Sequence, residues 1–446
     1  MDFSKVTEIR IPEGNVLEIA ETSTGRILWG NAIAKGLTFV ANSSSAPVVM
    51  NISTDTDTEY RVNSGAWTKA TADKKISGTK IQLRCRNKTS AQNIANLFDS
   101  TSGKCKVYGY LSDLLDWKKR LANTLTYTEN CFQNAFSGCS YITDASGLIL
   151  PTTTVASMYM YAFANCDSLT KAPALPATEV ADYAYQDMFE YCSSLTAMPE
   201  IKATKIGTQS FYEMFAYCTK LTNTTASKVS NAAGESAFAY MFRESGLSTG
   251  MDITGITSTD KYGCTFEGMY MGCTNLTAAS MPIKITVGNG ALSVFARMFR
   301  GCTSLVNPPT IPTISLNSTE DETAHMFEEM FYGCTKLAGL PTLQNKTTYA
   351  GTGCQFANMF NGCTSLTTAP DLPATELVNY CYESMFEGCS NLSHIKAMFT
   401  TEPSDTYTKG WVSGVASTGT FVKSKDATWD VTGVNGVPED WTVTTE

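Results

Sequence analysis

The chain has 446 residues, of which 43% are hydrophobic and 17% charged, with a net charge of −9 and no basic cluster. That balance speaks against nucleic-acid binding, and no apolar run approaches the ~18–20 residues of a membrane-spanning helix, so no membrane insertion is expected. The length allows two or three domains.

The chain opens on a stretch of alternating apolar and polar residues over 1–32, with Val6, Ile9, Ile11, Val16, Ile19, Ile27 and Trp29 on the apolar side. This reads as a β-element too small to hold a core of its own, so it is expected to attach to a neighbouring domain or a partner. The first twelve residues lack a basic segment followed by an apolar one, so they do not read as a secretory signal. If residue 1 is the true start, export by the general secretory route is not expected, and assembly in the cytoplasm, as in a virion, is.

Residues 33–110 carry strand-like runs at 37–40, 48–52, 59–62, 80–85 and 106–110, separated by turn residues. Short strands at this spacing predict an immunoglobulin-like β-sandwich, with Tyr60 to Trp67 as a hairpin whose aromatics face inward. Cys85 and Cys105 fall in adjacent predicted strands, where packing as free thiols is expected over pairing. Residues 111–129, opening L-S-D-L-L-D-W-K-K-R-L, predict a short amphipathic helix that closes the end of the following array.

From 130 to 393 one pattern recurs ten times. Taking Phe360 as its register, the equivalents are Phe136, Phe163, Phe189, Phe215, Phe242, Tyr270, Phe299, Phe331 and Phe386, and four residues earlier stands another aromatic: Phe132, Tyr159, Tyr185, Phe211, Phe238, Phe266, Phe295, Phe327, Phe356 and Tyr382. Before the register comes Met in eight copies and Ala in two, and three residues after it comes Cys139, Cys166, Cys192, Cys218, Cys273, Cys302, Cys334, Cys363 or Cys389, with Ser245 once. Apolar residues at i, i+3 and i+4 predict a helical turn facing a core. Gly before the cysteine in six copies predicts a left-handed stop. A leucine then opens an extended segment, in which proline leaves room for only three or four residues of strand.

A spacing of 26 to 32 residues means a solenoid rather than a propeller, whose blades need four strands each. One unit buries too little to fold alone, so neighbours must stack and both ends need covering. The nine cysteines at one position predict a buried ladder of reduced thiols. The fold class expected is therefore α+β, mainly β: a sandwich, a solenoid of ten units over 130–393, and a small β-rich cap over 394–446 holding Trp411, Trp429 and Trp441.

The run from Met359 to Thr375, M-F-N-G-C-T-S-L-T-T-A-P-D-L-P-A-T, nearly repeated from Phe163 to Thr178, resembles the BspA-like leucine-rich repeats. Such repeats occur in surface proteins of gut and oral anaerobes, and similar arrays occur in structural proteins of their phages. The resemblance implies the solenoid and brings no catalytic set.

No catalytic or metal constellation stands out from the residues either, and no cofactor is expected. The two histidines, His325 and His394, lack partners at zinc spacing, and G-L-S-T-G at 246–250 follows a repeat segment rather than a strand, unlike a nucleophile elbow. Asp187 and Glu190 are the nearest approach to a carboxylate pair. The informative positions are those that vary at constant register. Immediately after the register aromatic come Ser137, Ala164, Glu190, Ala216, Arg243, Met271, Arg300, Tyr332, Asn361 and Glu387, a set too mixed to be core.

Of these, Glu190, Arg243, Arg300, Tyr332, Asn361 and Glu387, together with Tyr191 and Tyr217 at sites that elsewhere prefer Gly, form the candidate binding stripe, whose bland alternative is a solvated face. The expected role is a non-enzymatic phage fibre or appendage. It would be joined to other virion proteins through its N-terminal part, assembled as a homo-oligomer, and turned toward a host surface glycan or protein. A bacterial cell-surface adhesin is the alternative.

Overall fold

A computed structural model describes residues 36–52, 55–71, 73–91, 93–99, 102–224, 228–259, 263–287, 292–316, 325–343 and 354–446. The attachment element expected over 1–32 lies outside the described residues.

Seven strands precede the repeats: β1 (Leu37–Ala41), β2 (Val48–Ile52), β3 (Asp55–Val62), β4 (Thr68–Ala70), β5 (Lys74–Gly78), β6 (Lys80–Cys85) and β7 (Cys105–Tyr110). The helix α1 (Asp113–Leu121) follows, and then β8 (Ile142–Ile149) within the first coil of the array. The strand order is β4-β3-β6-β1-β7-β8, with β2 and β5 forming a separate antiparallel pair. Because β8 joins β7 in parallel, the N-terminal sheet runs into the solenoid without a break, and one core serves both.

The β3–β4 hairpin falls where expected and buries Tyr60, but Trp67 is only partly covered. The Arg84 guanidinium lies 3.9 Å from the Trp67 ring centroid and 4.0 Å from that of Trp117, a clamp that holds the tryptophan at the surface. Cys85 and Cys105 are buried free thiols.

The repeated aromatic segment is not a helix. Among the described residues the α-helical stretch is α1, with one 3-10 turn at Ala95–Leu97, so the α+β expectation gives way to a mainly β fold, a β-solenoid with almost no helix. In the repeats every fourth residue is left-handed: Ser157, Tyr161 and Asn165 in one coil, Tyr183, Asp187 and Tyr191 in the next, Gln209, Glu213 and Tyr217 after that. The N–H groups alternate accordingly. Phe132, Asn134, Phe136 and Gly138 donate to the carbonyls of Met158, Met160, Ala162 and Ala164 in the next coil at 2.7–3.0 Å, whereas Gln133, Ala135, Ser137 and Cys139 donate three residues back.

The result is a ribbon of successive turns bonded to its neighbours like a sheet. Its period of four returns residues i and i+4 to the same side as faithfully as the 3.6 of a helix does over so short a span, which is why the apolar spacing suggested helix. Left-handed backbone costs a non-glycine residue about 1–2 kcal/mol. The coil-to-coil bonds hold it there, because a backbone group left unpaired in the interior costs a similar amount.

Nine full turns separate Phe136 from Phe386. The register aromatics stack into one column with ring centroids 4.7–5.7 Å apart. The aromatics four residues earlier make a second column at 5.5–5.9 Å. Beyond each leucine from Leu169 on, the described extended segments run to four residues at most, within the three or four expected, except for two of six and eight residues in the coils that carry no proline. They align as a parallel sheet of β9 (Glu179–Val180), β10 (Lys205–Ile206), β11 (Lys228–Ala233), β12 (Asp252–Thr259), β13 (Lys284–Val287) and β14 (Thr313–Leu316).

The cysteines form the expected ladder. Cys166, Cys192, Cys218, Cys273, Cys302, Cys334, Cys363 and Cys389 each donate the thiol to the register carbonyl of the preceding coil at 3.0–3.2 Å. All fifteen cysteines are free, thirteen buried and two, Cys264 and Cys354, partly exposed. A thiol reagent added to the native chain is expected to label at most these two, and all fifteen in denaturant. Rapid native labelling of more than two would contradict the ladder.

Two boundaries move. The carbonyls of the first coil are met by Ala91 N–H on Cys131 at 2.6 Å and Ile94 N–H on Ala135 at 2.8 Å. The backbone cover thus comes from Ala91 and Ile94, while α1, which was expected to supply it, packs beside β6. At the other end the ribbon continues past 393 for one more run. Phe386 and Gly388 donate to the carbonyls of Trp411 and Ser413, both at 2.8 Å. That run was illegible because Thr408, Val412 and Val415 replace the two aromatics and the cysteine.

Its own donors are then met by the Val434 carbonyl, on Val412 N–H, and by the Asn435 side chain, on Gly410 N–H at 2.8 Å. Three parallel strands, β15 (His394–Ala397), β16 (Thr420–Lys423) and β17 (Thr442–Thr445), flank this end. Trp411, Trp429 and Trp441 are all buried there.

Candidate functional site

Because each coil repeats the ribbon in register, a given position forms a column along the solenoid. The residue after the register aromatic therefore shares a face with the left-handed residues two before and two after it, and the predicted stripe is one part of that wider polar face. Most of the predicted residues are half-buried rather than freely solvated; Tyr191 is exposed, at 44%. They fall into three groups.

The first group joins Glu190, Tyr191, Tyr217 and Arg243 from three successive coils. The rings of Tyr191 and Tyr217 stack at 4.5 Å with 1° between their planes, and the Arg243 guanidinium lies 5.4 Å from the Tyr217 centroid and 5.9 Å from that of Tyr240. Beside them the carboxylates of Asp187, Glu190 and Glu213 converge, with oxygens all within 4.8 Å of one another. Asp187 is 3% exposed.

Burial, with Glu213 adding repulsion, pushes the Asp187 carboxyl up to about 6. Burial together with the charges of Asp187 and Glu213 pushes Glu190 up to about 7, which Arg243 offsets only in part. Burial and the facing carboxylates likewise push the Tyr161 phenol up to about 12. Three oxygen donors are of the type hard divalent cations accept, and they are the one such cluster among the described residues.

These shifts carry a prediction. The folded chain holds protons on Asp187 and Glu190 that the unfolded chain, with ordinary carboxyls near 4, has already released. Stability therefore falls as pH rises from about 4 to about 7 and stays low above that window. Melting temperature followed across this range should decline, and the double variant Asp187→Asn with Glu190→Gln should remove most of that decline. An unchanged slope in the variant would show that the cluster is not under this strain.

The second group is an ion network around Arg297, which pairs with Glu267 at 2.9 Å, Glu329 at 3.0 Å and Glu328 at 3.4 Å. The predicted Arg300 also pairs with Glu329 and lies over the predicted Tyr332 ring at 4.4 Å. Tyr240 donates to Glu267 at 2.6 Å, and His325 sits 2.9 Å from Glu328. Most of its charges are matched, which suits a structural brace better than an open site. The third group is smaller: Asn361 donates to Glu387 at 3.2 Å and to Asn358 at 3.1 Å.

Sequence reasoning missed Glu213, Glu267, Arg297 and Glu329, and weighed Asp187 only as half of a pair. All of them occupy the columns two and three residues before the register. They stand four residues before the stripe positions, which share a face with them in a helix and in the ribbon alike, so counting back four from the stripe would have found them.

A family model for the BspA type leucine rich repeat region matches residues 122–243 and 265–407, in six copies. The chain belongs to this family. More than half of its length is such repeat, and the repeats make a scaffold for binding. A comparison with curated proteins finds no match.

Proposed function

We propose that this BspA-type repeat chain is a non-enzymatic binding protein of a phage particle, a tail fibre or appendage that turns the polar face of its solenoid toward a host-cell glycan or protein. The observation that carries the reading is the face itself. Tyrosines and acidic residues occupy left-handed positions such as Tyr191, Tyr217, Asp187 and Glu213, where glycine would be less strained, on an otherwise repetitive scaffold. The ribbon's hydrogen bonds fix the backbone at these places, so what varies on this face is the set of side chains, and variable side chains on a regular scaffold are where recognition sits.

Residues 1–32 serve as attachment to other virion proteins, and residues 33–110 as an immunoglobulin-like spacer. A symmetric homo-oligomer would multiply weak surface contacts into avidity. The net charge of −9 does not suit a nucleic-acid partner, and no helix of the described residues is long and apolar enough to cross a membrane. Likeness of the repeats to those of anaerobe surface proteins supports a second reading, a cell-surface adhesin using the same face.

Immunogold electron microscopy with an antibody against the solenoid separates the two. Gold on purified particles is the expected result. Gold confined to uninfected producing cells would overturn the virion assignment in favour of the adhesin.

A further inference from the structure

We propose that the outer face of the Tyr191 ring is a subsite for a sugar ring bearing a protonated amine, with the ammonium directed toward Glu190 and Glu213. The assignment rests on the reading of the polar face as the binding surface and names the ligand class for one part of it.

The position two residues after the register aromatic holds Gly138, Asn165, Tyr191, Tyr217 and Glu244 in successive coils, and glycine in the five after that. Tyr191 and Tyr217 are left-handed there, at φ 58° and 60°, so each carries backbone strain that glycine would not. The core does not require them, since Tyr191 remains 44% exposed. They build a column of two rings. Its far end, at Tyr217, is closed by Arg243. Its near end is less filled: the adjacent coil presents the shorter Asn165 at this position, the coil beyond it Gly138, and Tyr191 stays 44% exposed although one of its faces is stacked on Tyr217. The ring surface of Tyr191 that Asn165 leaves uncovered is where a further flat ring would pack.

The charge around that place is unbalanced. Asp187, Glu190 and Glu213 face one another, and one guanidinium, Arg243, offsets them. A neutral sugar would satisfy the ring and leave the carboxylates crowded; an acidic one would be repelled. An amino sugar offers an aliphatic ring face for stacking on tyrosine and a cation for both the π-face and the carboxylates. Divalent cations could relieve the same crowding, yet they would leave the exposed ring unused.

The test is calorimetric titration of the whole chain at pH 7 with three hexasaccharides of similar shape: fully deacetylated glucosamine, N-acetylglucosamine and β-linked glucose. The glucosamine oligomer is expected to bind, and Tyr191→Ala to weaken it by about tenfold, the worth of one stacked and charge-assisted contact. Tyr191→Phe should bind as the parent does, and so should Tyr380→Ala, which removes a ring of similar exposure outside the candidate stripe. Equal weakening by Tyr380→Ala, or none by Tyr191→Ala, would mean diffuse attraction of a cationic oligomer to an acidic chain and would overturn the subsite. Equal or tighter binding of the acetylated or glucose oligomer would overturn the amine, and binding of none of the three would overturn both. The particle assignment stands or falls separately, by the location of the gold.

Discussion

Replacing Phe242 with alanine is expected to lower the unfolding free energy by about 3–5 kcal/mol, the range for deleting a buried aromatic that its surroundings cannot fill. Phe242 is fully buried, with Phe215 at 5.7 Å on one side and Tyr270 at 5.6 Å on the other. Its removal breaks the register column near its middle. Collapse is blocked because the neighbouring rings are held at the coil spacing by ribbon hydrogen bonds on both sides. In a solenoid, stability is a sum over neighbours, so losing two ring contacts weakens two interfaces at once and should split the array into halves that unfold at different denaturant concentrations. Denaturation followed by tyrosine and tryptophan fluorescence reads this directly. A loss below about 1 kcal/mol, far under the range for such deletions, would mean that the columns are not the core.

Trp411→Ala is expected to cost a similar ~3–5 kcal/mol but to act at one end. Trp411 is fully buried, lies 6.2 Å from Tyr382 and 6.1 Å from Phe386, and so terminates both aromatic columns with a single side chain. Its indole N–H also donates to the Gly436 carbonyl at 3.0 Å. That bond ties residues 434–436, which meet the last free N–H groups of the ribbon, to the solenoid. Without it the final coils should fray while the centre stays folded, since end repeats have one neighbour fewer. Limited proteolysis should then remove the C-terminal region and leave a resistant fragment that includes Phe242. Cleavage spread evenly along the chain, or no change in resistance, would contradict the role given to Trp411.

Much of this architecture was legible in the sequence because side chains carry it. The aromatic pairs at a spacing of four, the cysteine three residues on, and the leucine after it announce columns, and each column is where the spacing puts it. Features made by the backbone left weaker traces. The turn ribbon depends on left-handed residues at every fourth place, and Tyr161, Asp187, Glu213, Tyr240 and Arg297 hold that conformation without being residues that favour it. Only the glycines and asparagines, such as Asn134, Gly138, Gly268 and Gly272, hint at it. The first coil is met by backbone amides of Ala91 and Ile94, which no motif could reveal.

Within the candidate site, Glu190, Tyr191, Tyr217 and Arg243 were found because they vary at a fixed register. Asp187 and Glu213, which complete the acidic cluster, were missed because only positions after the register aromatic were compared, although they stand four residues before Tyr191 and Tyr217. The same omission concealed the Arg297 network, whose Glu267, Arg297 and Glu329 stand two and three residues before the register.

Every residue placed on the polar face depends on that ribbon, so the most direct test of the account is far-ultraviolet circular dichroism of the purified chain. A mainly β solenoid with α1 as its described α-helix predicts a weak spectrum dominated by strand and turn, without the paired minima of helix near 208 and 222 nm. A spectrum with strong helical minima, of the strength ten helical repeats would give, would contradict the turn ribbon and take with it the grouping of Asp187, Glu190 and Glu213 beside the two tyrosines.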